Sequence, residues 1–192
     1  MINDNSPIIK IHPAAERKSI AWASGTSTEI FIYPADGDFK TRNFSFRIST
    51  ATVEADETTF SDFSGLTRIL MPLKGDLTLI HEGRYTKELK PFDQDRFDGS
   101  WNTRSIGKVQ DFNVMFKSPF NAAVVHHHPT TTKEFNSPEN KSHHFIYAVD
   151  GEFMINESKI SPGDLVEIQR SSPISINPIV QGNLIEVVIK LD

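Results

Sequence analysis

The histidines of this chain are the first residues whose type and spacing suggest chemistry. Five of its seven histidines fall between residues 126 and 144, and imidazole is the commonest metal ligand among side chains. Neighbouring side chains of an extended segment point to opposite sides, so His126 and His128 can converge on one point while His127 cannot join them. The intervening residues are rich in Thr, Ser, Pro, Asn and Lys, which is loop composition. We therefore predict a solvated connection between strands.

A metal site is the alternative interpretation of the same stretch. If an ion binds, we predict that His126, His128 and His144 hold it, with Glu134 or Glu139 supplying a carboxylate. A surface patch that captures nickel or zinc adventitiously is a further alternative. Because the loop interpretation is preferred, no metal and no cofactor is expected.

A second group of candidates consists of polar residues on segments with strand periodicity. Apolar residues occupy every second position around each of them, as in half-buried strands. Arg47 and Ser49 then share one face of their strand, and Asp111 and Asn113 share one face of theirs. We expect these polar faces either to meet water or to line the mouth of a barrel.

Arginine suits carboxylate ligands because its guanidinium donates paired N–H groups. Arg47 and Arg68 are therefore predicted to grip a carboxylate, and Glu29 to receive an amine or amide. The predicted ligand-binding residues are Glu29, Arg47, Ser49, Arg68, Asp111 and Asn113. The alternative is a structural role, in which a strand arginine pairs with Glu29 or Asp111 and the latter ties down backbone together with Asn113.

No catalytic residue is predicted. The chain contains no cysteine, which excludes disulfides, thiolate catalysis and cysteine-ligated metals. It has no Gly-x-Ser-x-Gly elbow for a nucleophile and no Gly-rich loop that opens a helix for phosphate binding. Acid–base chemistry by Glu29 or Asp111 stays open, because one sequence does not reveal a perturbed pKa.

Composition limits the partners that this chain can have. The formal net charge is −5 and the pI is near 5.8, without the clustered basic field that nucleic acid or an anionic membrane requires. No window holds enough consecutive apolar residues to cross a bilayer. The first residues include an acidic side chain and no apolar core, so they do not read as a signal peptide. We expect a cytoplasmic protein.

The elements that must position these residues are almost all strands. Alternating or β-rich apolar runs recur along the chain between Gly, Pro and Asp turns, and no segment has a long, capped helical pattern. Residues 68–93 and 144–164 repeat one layout of strand, glycine turn, strand and a second turn that begins with proline. The pattern predicts an all-β chain with a duplicated small barrel, divided into residues 1–115 and 116–192.

The repeated layout resembles the cupin fold, which implies a bicupin: a duplicated cupin-like β-barrel of the RmlC-like jelly-roll type. Metal-binding cupins carry a His-x-His pair, a glutamate seven residues before the turn glycine, and a later histidine. The glutamate position is Arg68 in the first repeat and His144 in the second, and neither repeat retains the ligand set. Arginine is no ligand because its guanidinium stays protonated. The resemblance therefore implies a bicupin without a metal.

Several motifs in their expected order resemble the HutD/Ves family. They are Trp-Ala-Ser-Gly-Thr-Ser-Thr-Glu-Ile at 22–30, Phe-Arg-Ile-Ser-Thr-Ala-Thr-Val at 46–53, Phe-Ser at 60–61 with Gly-Leu-Thr-Arg at 65–68, Leu-Lys-Gly at 73–75, Phe-Asp-Gly at 97–99, and Gly107 leading to Asp-Phe-Asn-Val-Met at 111–115. The match covers roughly residues 20–116, and the remainder resembles the family only through the cupin-like repeat. The family is linked by name to histidine utilisation, and the resemblance implies a regulatory or metabolite-binding role, with a formylated or acidic amino-acid degradation product as ligand.

The sequence supports one main hypothesis and two alternatives. The main hypothesis is a metal-free cupin-family protein that binds a small carboxylate-bearing metabolite and regulates histidine or amino-acid catabolism. One alternative is a metal-dependent cupin enzyme, an oxygenase or isomerase, that uses the nonstandard histidines. The other is a structural or partner-binding β protein. Two copies are expected to pair, because the edge strands of open β-barrels invite pairing.

Overall fold

The computed structural model of this chain describes residues 9–135, 142–169 and 173–192. These residues form strands and one short 3-10 helix, Ala14–Glu16, and contain no α-helix. The all-β prediction is therefore confirmed. The described parts contain no helix that is long and apolar enough to span a membrane.

The chain folds as two compact units. The first unit comprises residues 17–120, and the second comprises residues 121–192 together with the N-terminal residues up to 16. The sequence placed the division between residues 115 and 116 and kept the N-terminal residues with the first half. The N-terminal residues join the second unit because Ile9 of their strand pairs with Ile168.

The first unit contains two sheets. Its strands are β2 (Ser19–Trp22), β3 (Gly25–Tyr33), β4 (Phe46–Val53), β5 (Glu57–Thr59), β6 (Thr67–Lys74), β7 (Leu77–His81), β8 (Tyr85–Leu89), β9 (Asp95–Asp98), β10 (Thr103–Ile106) and β11 (Val109–Phe116). Six strands are ordered β2-β3-β4-β11-β6-β9, and four are ordered β5-β10-β7-β8. Both orders are linear, so neither sheet closes on itself, and the unit is an open jelly roll.

The second unit repeats this arrangement. Its strands are β1 (Ile9–His12), β12 (Phe120–His127), β13 (Lys133–Phe135), β14 (Ser142–Ala148), β15 (Glu152–Ile155), β16 (Ser158–Ile160), β17 (Leu165–Ile168), β18 (Ile174–Val180) and β19 (Leu184–Leu191). The orders are β1-β17-β14-β19-β12 and β13-β18-β15-β16. The series β4-β11-β6-β9 thus corresponds to β12-β19-β14-β17, and β5-β10-β7-β8 to β13-β18-β15-β16. The duplication predicted from the repeated layout is confirmed.

A turn glycine follows the central strand of each unit and has no substitute there. Gly75 has a φ of 84° and Gly151 a φ of 77°, a left-handed region that other residues rarely adopt. A Cβ atom on Gly75 would lie 2.5 Å from the carbonyl oxygen of Lys108, and one on Gly151 would lie 2.7 Å from that of Val180. Any side chain at these turns would collide with the backbone of a neighbouring strand.

Each unit has its own apolar core. In the first unit, residues of β4, β6 and β11 pack with residues of β7, β8 and β9: Val53, Leu70, Leu77, Leu79, Leu89, Phe97 and Val109. In the second unit, Ile146, Val166 and Leu184 pack with Phe153, Ile155 and Ile176, among others. Alternation of apolar and polar positions directs these side chains to one face of each sheet.

The prediction of a solvated connection between residues 126 and 144 is wrong for four of its five histidines. His126 and His127 end β12, and His143 and His144 lie in β14. His144 is only 2% exposed. Residues 128–132, which separate β12 from β13, form no strand, as their composition indicates.

The edge on which the expected pairing of two copies depends is accessible in the single chain. β2 forms one edge of the six-stranded sheet, and all four of its residues are exposed. Ile20 is 61% and Trp22 40% exposed. Pairing through this edge stays a prediction.

Candidate functional site

The strand registers of the first unit bring the six predicted ligand-binding residues to one face of one sheet. Glu29 of β3 lies opposite Ser49 of β4, which in turn lies opposite Asn113 of β11. Side chains of directly opposed residues point to the same side of a sheet, so these three form a row.

A second row follows two residues along the strands. Arg47 lies opposite Met115, which lies opposite Arg68 on its other side. Asp111 continues the same face of β11 on the far side of Asn113. The same face contributes Leu70 to the core, so the polar residues lie on the inner face of the sheet.

Five of these six side chains are buried, contrary to the simpler expectation that a polar face meets water. Arg47, Ser49, Arg68, Asp111 and Asn113 are each less than 9% exposed. The Glu29 side chain is 40% exposed. The rows therefore begin at solvent beside Glu29 and continue into the interior of the unit.

Arg47 has its partners within the chain. Its Nε donates to Oε2 of Glu29 at 2.9 Å, and its Nη1 donates to Oγ of Ser49, also at 2.9 Å. The guanidinium carbon lies 4.1 Å from the centroid of the Phe39 ring. Burial lowers the pKa of Arg47, while the hydrogen bond to Glu29 opposes that shift. The structural ion pair given as the alternative interpretation is present at this arginine.

Arg68 differs, because the buried carboxyl of Asp111 acts on its charge without forming a salt bridge with it. Its guanidinium carbon lies 4.5 Å from the centroid of the Phe60 ring, 5.2 Å from that of Phe97 and 5.7 Å from that of Phe63. Within the described parts of the chain, no carboxylate forms a salt bridge with it and its Nε has no hydrogen-bond partner. Burial lowers the pKa of Arg68 to about 10, so the side chain is still charged at neutral pH.

Two acceptors on β11 also lack partners. Oδ1 of Asp111 and Oδ1 of Asn113 are buried and accept no hydrogen bond from the residues that the structure describes. Burial raises the pKa of Asp111 to about 7, and the charge of Arg68 opposes that shift. An unsatisfied buried polar group costs roughly 1–3 kcal/mol. One donor and two acceptors on this sheet face are therefore available for further hydrogen bonds.

The first unit also contains a buried network that the sequence analysis did not identify. His81 Nδ1 is 2.8 Å from Oγ1 of Thr103, and its Nε2 is 2.9 Å from Oδ2 of Asp95. Tyr85 and Lys87 also donate to that carboxylate. Burial opposes ionisation of Asp95, but the hydrogen bonds from Lys87 and His81 outweigh it and lower the pKa. The sequence feature that could have identified His81 is the alternation of β7, because His81 occupies the next position on the buried face of Leu77 and Leu79.

In the second unit, the predicted metal ligands do not come together. His126 Nε2 and His128 Nδ1 both contact Oδ1 of Asn183, at 2.8 and 3.2 Å, so this pair does converge. His144 is elsewhere, with its Nε2 2.8 Å from Oε1 of Glu186.

The other side chains considered for the metal site also lie apart from His126 and His128. His127 joins the Glu186 carboxylate through its Nε2, 2.8 Å from Oε2. Glu134 accepts from Ser175 instead, and Glu139 lies outside the described residues. Among the residues that the structure describes, no group of three or more His, Asp or Glu side chains is arranged to hold a metal ion.

Two open jelly-roll units of matching strand order define a bicupin, and comparison with known proteins supplies the family. The HutD family profile matches residues 14–184. The chain belongs to the HutD family. A sequence search among curated proteins found no significant match.

Solved structures with this fold include members and more distant cupins. HutD from Pseudomonas fluorescens SBW25, in a structure described as the formate condition, has a TM-score of 0.79 at 19% identity, with 96% of this chain and 100% of that chain covered. PA5104 from Pseudomonas aeruginosa PAO1, a conserved protein of unknown function, has a TM-score of 0.81 at 18% identity, covering 95% and 99%. The bacterial pirin YhhW from Escherichia coli, in complex with nickel(II), has a TM-score of 0.69 at 13% identity, covering 96% and 99%. At these identities the similarities establish the fold.

Proposed function

We propose that this HutD-family protein binds a small metabolite with a carboxylate group in the first unit, and acts in the cytoplasm as a regulator of histidine or other amino-acid catabolism. The ligand enters beside Glu29, where the polar rows meet solvent. Its carboxylate binds Arg68, and its N–H or O–H groups donate to Asp111 and Asn113.

The observation that carries this proposal is the state of Arg68. Buried charges are normally paired, because removing an ion from water without a partner is costly. Arg68 is 6% exposed and has no salt bridge within the described chain, although Arg47 beside it has both an ion pair and a hydrogen bond. An anionic ligand would supply the salt bridge that Asp111 does not form, and a carboxylate matches the paired N–H donors of a guanidinium.

The acceptors on β11 narrow the ligand class further. Asp111 and Asn113 each present an unsatisfied oxygen, which requires a donor on the ligand. Amino acids and their N-formyl derivatives combine a carboxylate with N–H donors, as the proposal demands. A family relative has been studied in a formate condition, and formate is the smallest carboxylate with which to test this chain.

The aromatic residues around Arg68 keep its guanidinium in the interior of the unit, where it can bind an anion. Phe60, Phe63 and Phe97 hold the guanidinium by cation–π contacts, each of which contributes roughly 0.5–2 kcal/mol. These rings fix the position of the cation and exclude water from it. Exclusion of water strengthens the attraction between the guanidinium and a bound carboxylate.

Calorimetric titration tests the proposal. Formate, glutamate and N-formylglutamate are titrated into the full chain, with formamide as the uncharged counterpart of formate. We expect the carboxylates to bind and formamide not to bind. In Arg68→Met, which keeps the length of the side chain and removes the charge, we expect affinity to fall roughly 30-fold or more, because loss of one partner of a buried charge pair costs about 2–5 kcal/mol.

The matched control is Arg104→Met. Arg104 lies in β10 and pairs with Glu57 and Glu82 at the surface, so this substitution removes one arginine without changing the proposed site. Its affinity for the carboxylates is expected to equal that of the wild type. Equal affinity of Arg68→Met and the wild type, or failure of every carboxylate to bind the wild type at millimolar concentration, would overturn the proposal.

A further inference from the structure

The two units carry different chemistry at equivalent positions of their central strands. Arg68 in β6 lies seven residues before Gly75, and His144 in β14 lies seven residues before Gly151. Both side chains are buried. Each has one nitrogen, Nε of Arg68 and Nδ1 of His144, without a hydrogen-bond partner in the described chain.

The neighbouring strands are equivalent as well. Arg68 lies opposite Met115 in β11, and His144 lies opposite Val188 in β19. Two residues earlier, these strands carry Asn113 and Glu186. The first unit therefore places an amide beside its buried cation, whereas the second places a carboxylate beside its buried imidazole.

Glu186 forms a cluster with His127 and His144, and the hydrogen bonds in this cluster determine which ring nitrogen of each histidine carries a proton. Hydrogen bonds from His127 and His144 lower the pKa of Glu186 to about 2, so the carboxylate is ionised and only accepts. Nε2 of both histidines must therefore carry a proton. A neutral imidazole protonated at Nε2 has a lone pair at Nδ1, and this is the buried, unpartnered atom of His144.

We propose that the second unit has a ligand site of its own, in which Nδ1 of His144 accepts a hydrogen bond from an uncharged N–H or O–H donor. The negative charge of Glu186 next to His144 disfavours an anion there. The site is independent of the carboxylate site in the first unit, and its ligand belongs to a different chemical class. Glu186 holds the tautomer, and His127 saturates the second oxygen of that carboxylate.

His127 also connects the cluster to the surface. It lines an open depression of about 410 Å³ formed by residues 127–134. Its ring meets that of Phe135 edge-on, with centroids 5.1 Å apart. A ligand in the depression would contact His127 and not His144, and Nε2 of His127 lies 2.8 Å from the same carboxylate that holds His144.

Nitrogen NMR of the ¹⁵N-histidine-labelled full chain tests the proposal directly. At about pH 8, imidazole is mostly uncharged and serves as the N–H donor probe, with formate as the anion for comparison. In the free protein, His144 is expected to show an unprotonated Nδ1 and a protonated Nε2. Imidazole should shift the Nδ1 resonance saturably, and formate should not. A protonated Nδ1 in the free protein, or a resonance that imidazole leaves unchanged, overturns the proposal.

Variants locate the binding and separate it from the first site. His144→Gln should weaken imidazole binding at least about tenfold. His12→Gln is the matched control, because His12 is a histidine of the same unit that contacts Glu167 and not Glu186; its affinity should be unchanged. Arg68→Met should keep imidazole binding while losing formate binding. If His144→Gln does not fold, the wild-type tautomer and titration still decide the matter. Full imidazole affinity in folded His144→Gln contradicts the proposed site.

Discussion

In the first unit the buried Arg68 forms no salt bridge with the residues that the structure describes, whereas in the second unit the Glu186 carboxylate has two imidazole partners. Both arrangements stand on the same strand order and follow equivalent turn glycines. The apolar positions have kept their role, since Leu79 and Ile155, each four residues after its glycine, are fully buried. Apolar side chains on the inner faces therefore form the core of both units, while polar side chains at equivalent positions differ in their chemistry.

The His81 network extends this contrast. His81 and Asp95 form a buried pair in the first unit. Counting from the turn glycines puts Glu157 at the position of His81, and the strand registers put Val166 at the position of Asp95. The second unit has an exposed glutamate and a core valine where the first has a buried hydrogen-bonded pair.

The largest expected effect comes from making the first unit resemble the second at this position. Asp95→Val leaves His81 and Lys87 without their carboxylate, and removal of one partner of a buried pair costs roughly 3–5 kcal/mol. The free energy of unfolding in urea measures the loss. Tryptophan fluorescence reports on this unit, because both tryptophans of the chain, Trp22 and Trp101, belong to it.

The double variant His81→Leu with Asp95→Val is the control for that experiment. It replaces both members of the pair by apolar residues, which is often neutral or stabilising, so most of the lost stability should return. A loss below about 1 kcal/mol in the single variant would show that the network contributes no more than a surface ion pair.

A smaller effect is expected from Asp111, whose burial distinguishes the first site. Burial raises its pKa from an ordinary value of about 3.9 to about 7, so the folded state binds the proton more tightly than the unfolded state. This contribution to stability is complete below pH 4 and is lost as the pH rises through 7. Asp111→Asn should remove that decline and be the more stable protein at about pH 8, by roughly 1–3 kcal/mol.

Thermal unfolding of both proteins between pH 4 and pH 8 measures the difference in slope. Glu186 is present in both proteins, so its titration contributes equally to the two curves and the difference in slope reports on Asp111. Parallel curves for wild type and Asp111→Asn would contradict a raised pKa at this carboxyl.

An effect of the same size as that of Asp111→Asn, but of opposite sign, is expected in the second unit from Glu186→Gln. An amide replaces a carboxylate that accepts from two imidazoles, and hydrogen bonds to charged groups contribute about 1.5–3 kcal/mol. We expect a loss of roughly 1–3 kcal/mol at neutral pH. The pKa of Glu186 is lowered, so its contribution is present above the unfolded pKa and disappears as the pH falls through about 2.

Amide hydrogen exchange of β14 and β19 measures this loss locally, since the second unit has no tryptophan. Glu157→Gln is the control: it removes an exposed glutamate of the same unit and should leave the exchange rates unchanged. Equal protection in Glu186→Gln and the wild type at neutral pH would mean that the carboxylate does not join the two histidines.

Periodicity predicted most of the fold and part of the site. Alternation of apolar residues identified the strands, and it placed Arg47 with Ser49 and Asp111 with Asn113 on shared faces. It did not reveal that Arg47 forms a salt bridge with Glu29 while Arg68 forms none with the described residues. That difference depends on the register between β3 and β4, which shifts between Glu29 and Phe31, and register follows from contacts across the whole sheet.

The histidines show the opposite limitation. Spacing allowed His126 and His128 to converge, and both contact Asn183. The loop prediction is wrong for the four histidines that lie in strands, whereas residues 128–132 form no strand. The partner that groups His127 with His144 is Glu186, which is distant in the sequence. The buried pair of His81 and Asp95 was missed for the same reason, because a single histidine on an apolar face does not identify its partner.

The most direct test of this account is the Nε–H resonance of Arg68 in ¹⁵N-arginine-labelled protein, assigned with Arg68→Met and titrated with formate. We predict that the free protein shows an Nε–H without a strong hydrogen bond, and that formate shifts this resonance saturably and slows exchange of its proton with water. A resonance that is already hydrogen-bonded in the free protein, or that formate does not move, would contradict the claim that Arg68 binds a carboxylate ligand.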